Sequence, residues 1–312
     1  MTDPGSNIEI PAFVSFTKTY HNKPYEDISP ARPELSASGK NVVITGGGTG
    51  VGLAIATAFS QAGAKSVSIL GRRLDRLENA AVDIRKAKAD PETLILFEMA
   101  DLMDRAQVDK AYRSIYEKVG KLDILISNAA TLIAPGPLLT SDPEAVLQGF
   151  KLNALSGLHA VQAFMHVAVE EPTVINTSAA IVHTAPFPGT GVYGVAKAAV
   201  FKMLDYIAAE NPNMHVVSFQ PGILATEMTE GKNIPAQDVV ELPGQFAVWL
   251  ASPEAKFLRS KTTPKTPKKE FWLTKRCNKF VWANWDVKEL LARKDEIKET
   301  KLLNLVLDGV LM

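Results

Sequence analysis

The sequence predicts an α/β fold: one domain in three layers, αβα, built on a doubly wound parallel sheet. Three observations predict it. Short apolar runs recur at Asn41–Ile44, Ser66–Leu70, Leu94–Phe97, Leu122–Ile126 and Thr173–Thr177. They are continuous rather than alternating, as strands buried on both faces are. Helix-length stretches separate them from Lys40 to Ala251, and such alternation gives a parallel sheet covered on both sides. The first run also opens into a glycine-rich turn followed by an apolar helix pattern, Leu53, Ile55, Ala56, Ala58 and Phe59. A chain of 312 residues fits one large domain or two small ones. The unbroken alternation selects one, and its length suffices to bury most of its apolar surface.

The glycine turn is Thr45-Gly46-Gly47-Gly48-Thr49-Gly50-Val51-Gly52. Strand, glycine turn and helix together form the context a dinucleotide site needs. Gly46 and Gly50 let the backbone approach a pyrophosphate. Gly52 lets the helix pack closely on the strand. The helix N-terminus offers N–H groups and positive potential to the phosphates.

The second strand ends in Gly71-Arg72-Arg73. An acidic residue near this point would hold the ribose hydroxyls of NAD. Two arginines stand there instead, and a guanidinium suits the 2′-phosphate of NADP. NADP (as NADPH) is therefore the expected cofactor and NAD the less favoured one.

Further along, Tyr193 and Lys197 lie four residues apart, one helical turn on the same face. A phenol titrates near pH ~10, and a neighbouring ammonium stabilises the phenolate and lowers that value. The pair is a candidate general acid/base for a carbonyl or alcohol.

With these residues in hand, the chain resembles the short-chain dehydrogenase/reductase family, and fungal NADP-dependent members within it. The resemblance runs from about residue 40 to 251 and rests on Thr45-Gly46-x-x-x-Gly50-x-Gly52 and Tyr193-x-x-x-Lys197. It implies a Rossmann-like fold and several further residues. Asp101 and Leu102 match the adenine contact. Asn128, before Ala129-Ala130, matches the motif closing the fourth strand, although Ser127 and Ala130 depart from its usual residues. Asn153 matches an Asn that holds a water in the proton relay. Pro221, Gly222 and Ile223, with Thr226 beyond, match the turn beside the nicotinamide. Thr49 and Val51 belong to the phosphate loop.

One landmark departs. The family has two adjacent Ser after the strand that leads to the Tyr helix, and the second donates to the substrate oxygen. Here Ser178-Ala179-Ala180 follows Thr177, so the catalytic position falls on or near Ala179. Adjacent residues leaving a strand point to opposite sides. The donor is then Ser178 after a loop shift, or His183 or Thr184, or catalysis is impaired. Loss of one such donor typically costs ~3 kcal/mol.

Lys plus Arg number 34 and Asp plus Glu number 34, so bulk charge points to neither nucleic acid nor an anionic membrane. The single Cys277 excludes an internal disulfide framework and fits a reducing compartment. No signal peptide or membrane-length apolar run is evident, and the cytoplasm is the expected location. Residues 1–39 read as a polar, proline-bearing leader, wrapping the surface or partly disordered, with Phe13, Phe16 and Tyr20 as docking points. Residues 40–312 form the domain. Within it, 221–250 is the expected substrate lid, with Met228, Ile234, Val239, Val240 and Leu242 as an apolar lining.

Residues 260–279 form a basic stretch containing Pro264 and Pro267. Similar fungal sequences run nearly directly from Ala-Lys-Phe-Leu (Ala255–Leu258) into Phe-Val-Trp-Ala (Phe280–Ala283). Ser260-Lys261 can be encoded with a GTAAG splice donor, and Leu273-Thr274 with a CTGAC branch site. Part of 261–277 is thus read as a translated, unspliced intron. Phe280–Ala283 resembles the family's last strand, and Asp286–Leu303 reads as an amphipathic helix.

The expected activity is hydride transfer between NADP(H) and a carbonyl or secondary alcohol of a small to medium apolar molecule. Tyr193 is the proton donor, Lys197 tunes its pKa, Asn153 serves the relay and Ser178 polarises the oxygen. The alternative is a cofactor-binding relative with little catalysis, on the strength of Ala179. A nucleic-acid role for the Lys-rich stretch is set aside. The family resemblance implies a homodimer or homotetramer formed through the helices bearing Asn153 and Tyr193.

Overall fold

A computed structural model of the protein describes residues 15–133, 135–232, 234–259 and 278–306. Seven parallel strands form one sheet: β1 (Asn41–Thr45), β2 (Ser66–Gly71), β3 (Leu94–Met99), β4 (Leu122–Ser127), β5 (Ala168–Thr177), β6 (His215–Gln220) and β7 (Lys279–Trp282). Their order is β3-β2-β1-β4-β5-β6-β7. The chain starts in the middle, winds outward through β2 and β3, and crosses back to lay β4 on the other side of β1. That reversal leaves a crevice at the strands' C-terminal ends between β1 and β4, where ligands of such sheets bind.

The strands are buried on both faces because each face carries its own core. On β1, Val42 and Ile44 join one cluster with α1 (Gly50–Gln61), α2 (Leu74–Lys86) and α7 (Glu241–Ala251). Val43, between them, joins the other with α3 (Arg105–Val119), α5 (Ser156–Val167) and α6 (Gly191–Glu210). The period-2 geometry of a strand sends neighbours to opposite layers, which is why these runs read as continuously apolar. Helix starts are fixed locally: Asp104 accepts from the amides of Ala106 and Gln107 ahead of α3. Asp142 accepts from Glu144 N–H at α4 (Pro143–Phe150), whose first residue is Pro143. These are ordinary N-caps, with proline where its missing N–H costs nothing.

Two expectations need correction. Asp286–Leu303 is not one helix. It is α8 (Val287–Ala292), capped by Asp286, and α9 (Lys294–Glu299), separated at Arg293. Val287, Leu290 and Ile297, on either side of the break, are all buried in the core. The region 221–250 is not wholly a lid: α7 occupies its last third, and Leu242 and Phe246 are completely buried against the rest of the core. The leader, from Ser15 onward, docks on the body, as expected of Phe16 and Tyr20. Ile28 and Leu35 are buried, and Phe16 and Tyr20 pack on the core. His21 N–H donates to Asn284 O at 2.8 Å, and Glu289 accepts from Lys18 N–H and Thr19 N–H. Phe13 and the segment 261–277 with Cys277 lie outside the described residues. Lys279, counted with the basic stretch, is the first residue of β7 and fully buried. Its ammonium donates to Thr300 O, Leu302 O and Asn304 Oδ1.

Candidate active site

The crevice is a continuous cavity at the C-terminal edge of the sheet. Its walls include Gly46, Thr49, Gly50, Val51, Arg72, Arg73, Asp101, Leu102, Asn128, Ser178, Tyr193, Lys197, Pro221 and Thr226. Fourteen expected site residues, far apart in sequence, therefore share one space.

The loop end is built by backbone. Gly50 takes φ +54°, a left-handed conformation that side chains with a Cβ adopt at a cost. Gly52 lies beneath the loop rather than on the cavity wall. A Cβ there would stand 2.1 Å from Gly46 O, so only glycine lets α1 pack this closely. Thr49, at the N-cap of α1, makes no capping bond with its side chain. The uncapped first turn therefore keeps its N–H groups and positive potential for an anion. Thr45 supports the loop from behind: its Oγ1 accepts from the amides of Asn128 and Ala129 and donates to Ile126 O. Asn128 Nδ2 donates to Thr45 O at 3.0 Å and Gly46 O at 3.3 Å, tying the end of β4 to the glycine loop.

At the end of the cavity where β2 meets α2, Arg72 is exposed and has no ion-pair partner among the described residues. Sequence reasoning missed two groups beside it, Arg76 and Glu227, which also line the cavity. Glu227 accepts from Arg73 at 2.8 Å and pairs with Arg76 at 3.1 Å. Asp101 Oδ1 accepts from Met103 N–H, which shapes the turn after β3.

The end of the cavity between β5 and α6 is the more buried one. Lys197 is buried, and its ammonium donates to Thr177 O at 2.9 Å. It lies 5.7 Å from the centre of the Tyr193 ring. Burial pushes Lys197 down to about 8. Burial also pushes the half-buried Tyr193 phenol above its ordinary value. Desolvation favours the uncharged form of both groups. Ser178 lines the cavity, while Ala179, His183 and Thr184 do not. Ser178 Oγ and Thr177 Oγ1 are buried with no hydrogen-bond partner among the described residues, and both residues line the cavity. His183 is engaged elsewhere, accepting from Trp282 Nε1 at 2.9 Å.

Asn153 stands one layer behind the wall, buried in a π-helical turn at Lys151–Leu155 that joins α4 to α5. Its Oδ1 accepts from Thr131 N–H and its Nδ2 donates to Gly149 O. Gly222 and Ile223 also stand back from the cavity. Ile223 N–H donates to Asp238 Oδ2 at 2.7 Å. Asp238 Oδ1 accepts from Asn22 of the leader and Asn284 after β7. One buried carboxylate therefore fixes the Pro221–Ile223 turn to both ends of the chain, a contact no local motif announces.

A parallel sheet whose switch point carries an uncapped glycine-loop helix defines a dinucleotide-binding protein. The family model described as short chain dehydrogenase matches residues 40–236. A short chain dehydrogenase/reductase of Claviceps purpurea (strain 20.1) is 31% identical over 288 residues, covering 90% of each chain. The short chain dehydrogenase mpl6 of Monascus purpureus is 30% identical over 296 residues, covering 91% of this chain and 93% of that one. Among solved structures, a short-chain type dehydrogenase/reductase from Mycobacterium marinum superposes with TM-score 0.66 at 25% identity, over 71% of this chain and 92% of that one. The chain belongs to the short-chain dehydrogenase/reductase family, oxidoreductases of the CH–OH/C=O couple that use NAD(P) nucleotides. The residues present fit such a nucleotide: the loop end offers uncapped amides, and the more buried end offers hydroxyls unpartnered among the described residues.

Proposed function

We propose that the protein is an NADP-dependent oxidoreductase that interconverts a carbonyl and a secondary alcohol on a small to medium apolar molecule. One observation carries the reading. The glycine loop, Arg72, Ser178, Tyr193 and Lys197 line a single cavity at the switch point of the sheet. When bound, the nicotinamide supplies or accepts the hydride. Arg72 holds the 2′-phosphate, and the amides at the start of α1 hold the pyrophosphate. Tyr193, a protonated phenol at neutral pH, gives its proton to the substrate oxygen during reduction. Lys197 supplies the positive charge that steadies the phenolate as the proton leaves. Ser178 donates from its unpartnered hydroxyl to the same oxygen. Asn153, through the π-helical turn, serves the water relay behind Tyr193. Met228, on the segment after Thr226, lends the substrate end apolar surface.

The presence of Ser178 on the wall, and the absence of Ala179 from it, favour catalysis over a purely cofactor-binding role. We further propose a homodimer or homotetramer through α5 and α6, which expose Leu155, Val195 and Tyr206 at their start and along their length. The test of the main proposal is a fluorescence titration of the purified protein with NADPH and NADH, followed by NADPH oxidation with a panel of apolar ketones. Tight NADPH binding, weaker NADH binding and turnover of at least one ketone are expected. Binding of neither cofactor would overturn the reading.

A further inference from the structure

Three arginines cluster where β2 meets α2, and their circumstances differ. Arg72 is exposed and unpaired among the described residues, whereas Arg73 and Arg76 converge on one carboxylate. Glu227 places Oε2 2.8 Å from Arg73 and Oε1 3.1 Å from Arg76, a separate guanidinium for each oxygen. Asp75 is the other acid close to Arg76, at 3.8 Å. Glu227 does not belong to that helix. It follows Thr226, whose methyl group would lie 3.3 Å from a Cβ at Gly50. The carboxylate therefore comes from the segment that leaves the Pro221–Ile223 turn and reaches across the cavity mouth. All three arginines and Glu227 line the same cavity as the glycine loop.

Two oxygens shared between two guanidiniums is how proteins hold a phosphate. We propose that Glu227 is an internal occupant of the 2′-phosphate subsite: it competes with the cofactor's 2′-phosphate for Arg73 and Arg76. The proposal rests on the NADP reading and deepens it, because it makes Glu227 a specificity-determining residue. Two consequences follow. A cofactor with a 2′-phosphate must displace the carboxylate, whereas one without it leaves the clamp intact. Displacement also removes the Arg73 and Arg76 contacts of the segment carrying Met228, leaving it held by Thr229, which bonds Thr226 N–H and Leu224 O. The carboxyl is held below its usual range, first by the hydrogen bond from Arg73. It therefore remains a charged competitor at neutral pH.

The experiment compares wild type, Glu227→Gln and Arg72→Ala as full-length proteins, by titration with NADPH and with NADH. Glu227→Gln keeps the shape and removes the charge. It should tighten NADPH binding about fivefold, the scale of losing an exposed ion-pair competitor, and leave NADH within twofold. Limited proteolysis gives a second readout. In wild type, NADPH should expose the 227–232 segment to cleavage more than NADH does, and in Glu227→Gln the two cofactors should behave alike. Weaker NADPH binding in Glu227→Gln would overturn the proposal, since Glu227 would then be holding the arginines in place for the phosphate. An equal change for both cofactors, or no change, would overturn it too. If Arg72→Ala abolishes the preference for NADPH while Glu227→Gln does nothing, the clamp fails and the NADP reading stands. If wild type shows no preference and Arg72→Ala changes nothing, the NADP reading itself has failed.

Discussion

The two ends of the cavity solve opposite problems. At the end where β2 meets α2, charged side chains are exposed and largely satisfied by the chain itself, through Glu227 with Arg73 and Arg76. At the end bearing Ser178 and Lys197, polar groups are buried: among the described residues the hydroxyls of Thr177 and Ser178 have no partner, and the Lys197 ammonium donates to Thr177 O. In high dielectric an ion pair contributes little and exchanges readily. In low dielectric each unpaired polar group is costly and each new bond strong. The first end is suited to selecting a ligand, and the second to stabilising a short-lived charge.

The contrast can be broken at the buried end first. Tyr193→Phe should lower kcat by about 10³-fold, the scale of losing a placed general acid, while NADPH affinity holds in a fluorescence titration. Turnover near the wild-type value would remove Tyr193 from the chemistry. Ser178→Ala should cost about 10²-fold in kcat with little change in KM, as for loss of one oxyanion donor. If Ser178→Ala were silent and Ala179→Ser accelerated turnover, the donor would belong at position 179 instead.

The exposed end should respond less. Arg72→Ala should weaken NADPH about tenfold, the scale of one charge-assisted bond, and leave NADH unaffected. The NADPH difference should shrink as salt is raised, because exposed charges are screened. A salt-independent loss would mean the guanidinium is not acting as a charge.

A separate effect is on stability. Folding lowers the pKa of Lys197 to about 8 from its ordinary value near ~10.4. Between these values the unfolded chain binds more protons than the folded one, so stability rises with pH across that window. Lys256, also pushed down to about 8 by burial, contributes in the same direction. Urea unfolding at pH 8 and pH 10 should show this rise, and Lys197→Met should flatten part of it. An unchanged slope in the variant would mean Lys197 carries no such penalty.

Much of the fold was legible. The strands β1, β2, β4 and β5 and the glycine loop follow from apolar runs and turn chemistry that act within a few residues. The errors share a cause. Asp286–Leu303 has helical periodicity throughout, yet the helix breaks at Arg293, where the backbone leaves the helical conformation. Leu242 looked like lid lining because it follows loop-forming residues, but α7 packs it onto the sheet. Lys279 counted as surface charge until β7 buried it beside three oxygen acceptors.

By itself the sequence determined the layer order, the strand–glycine turn–helix unit at residues 41–61 and the helical spacing of Tyr193 and Lys197. These depend on backbone geometry and on spacing along one helix or turn, which local residues dictate. Only the tertiary structure decided that Ser178 and not Ala179 faces the cavity, that burial raises the Tyr193 phenol, that Glu227 grips two arginines, and that Asp238 joins the leader, the Pro221–Ile223 turn and the C-terminal segment. Each of those depends on groups from distant parts of the chain sharing one small, partly buried space. No spacing rule records the dielectric they meet there or the partners they find.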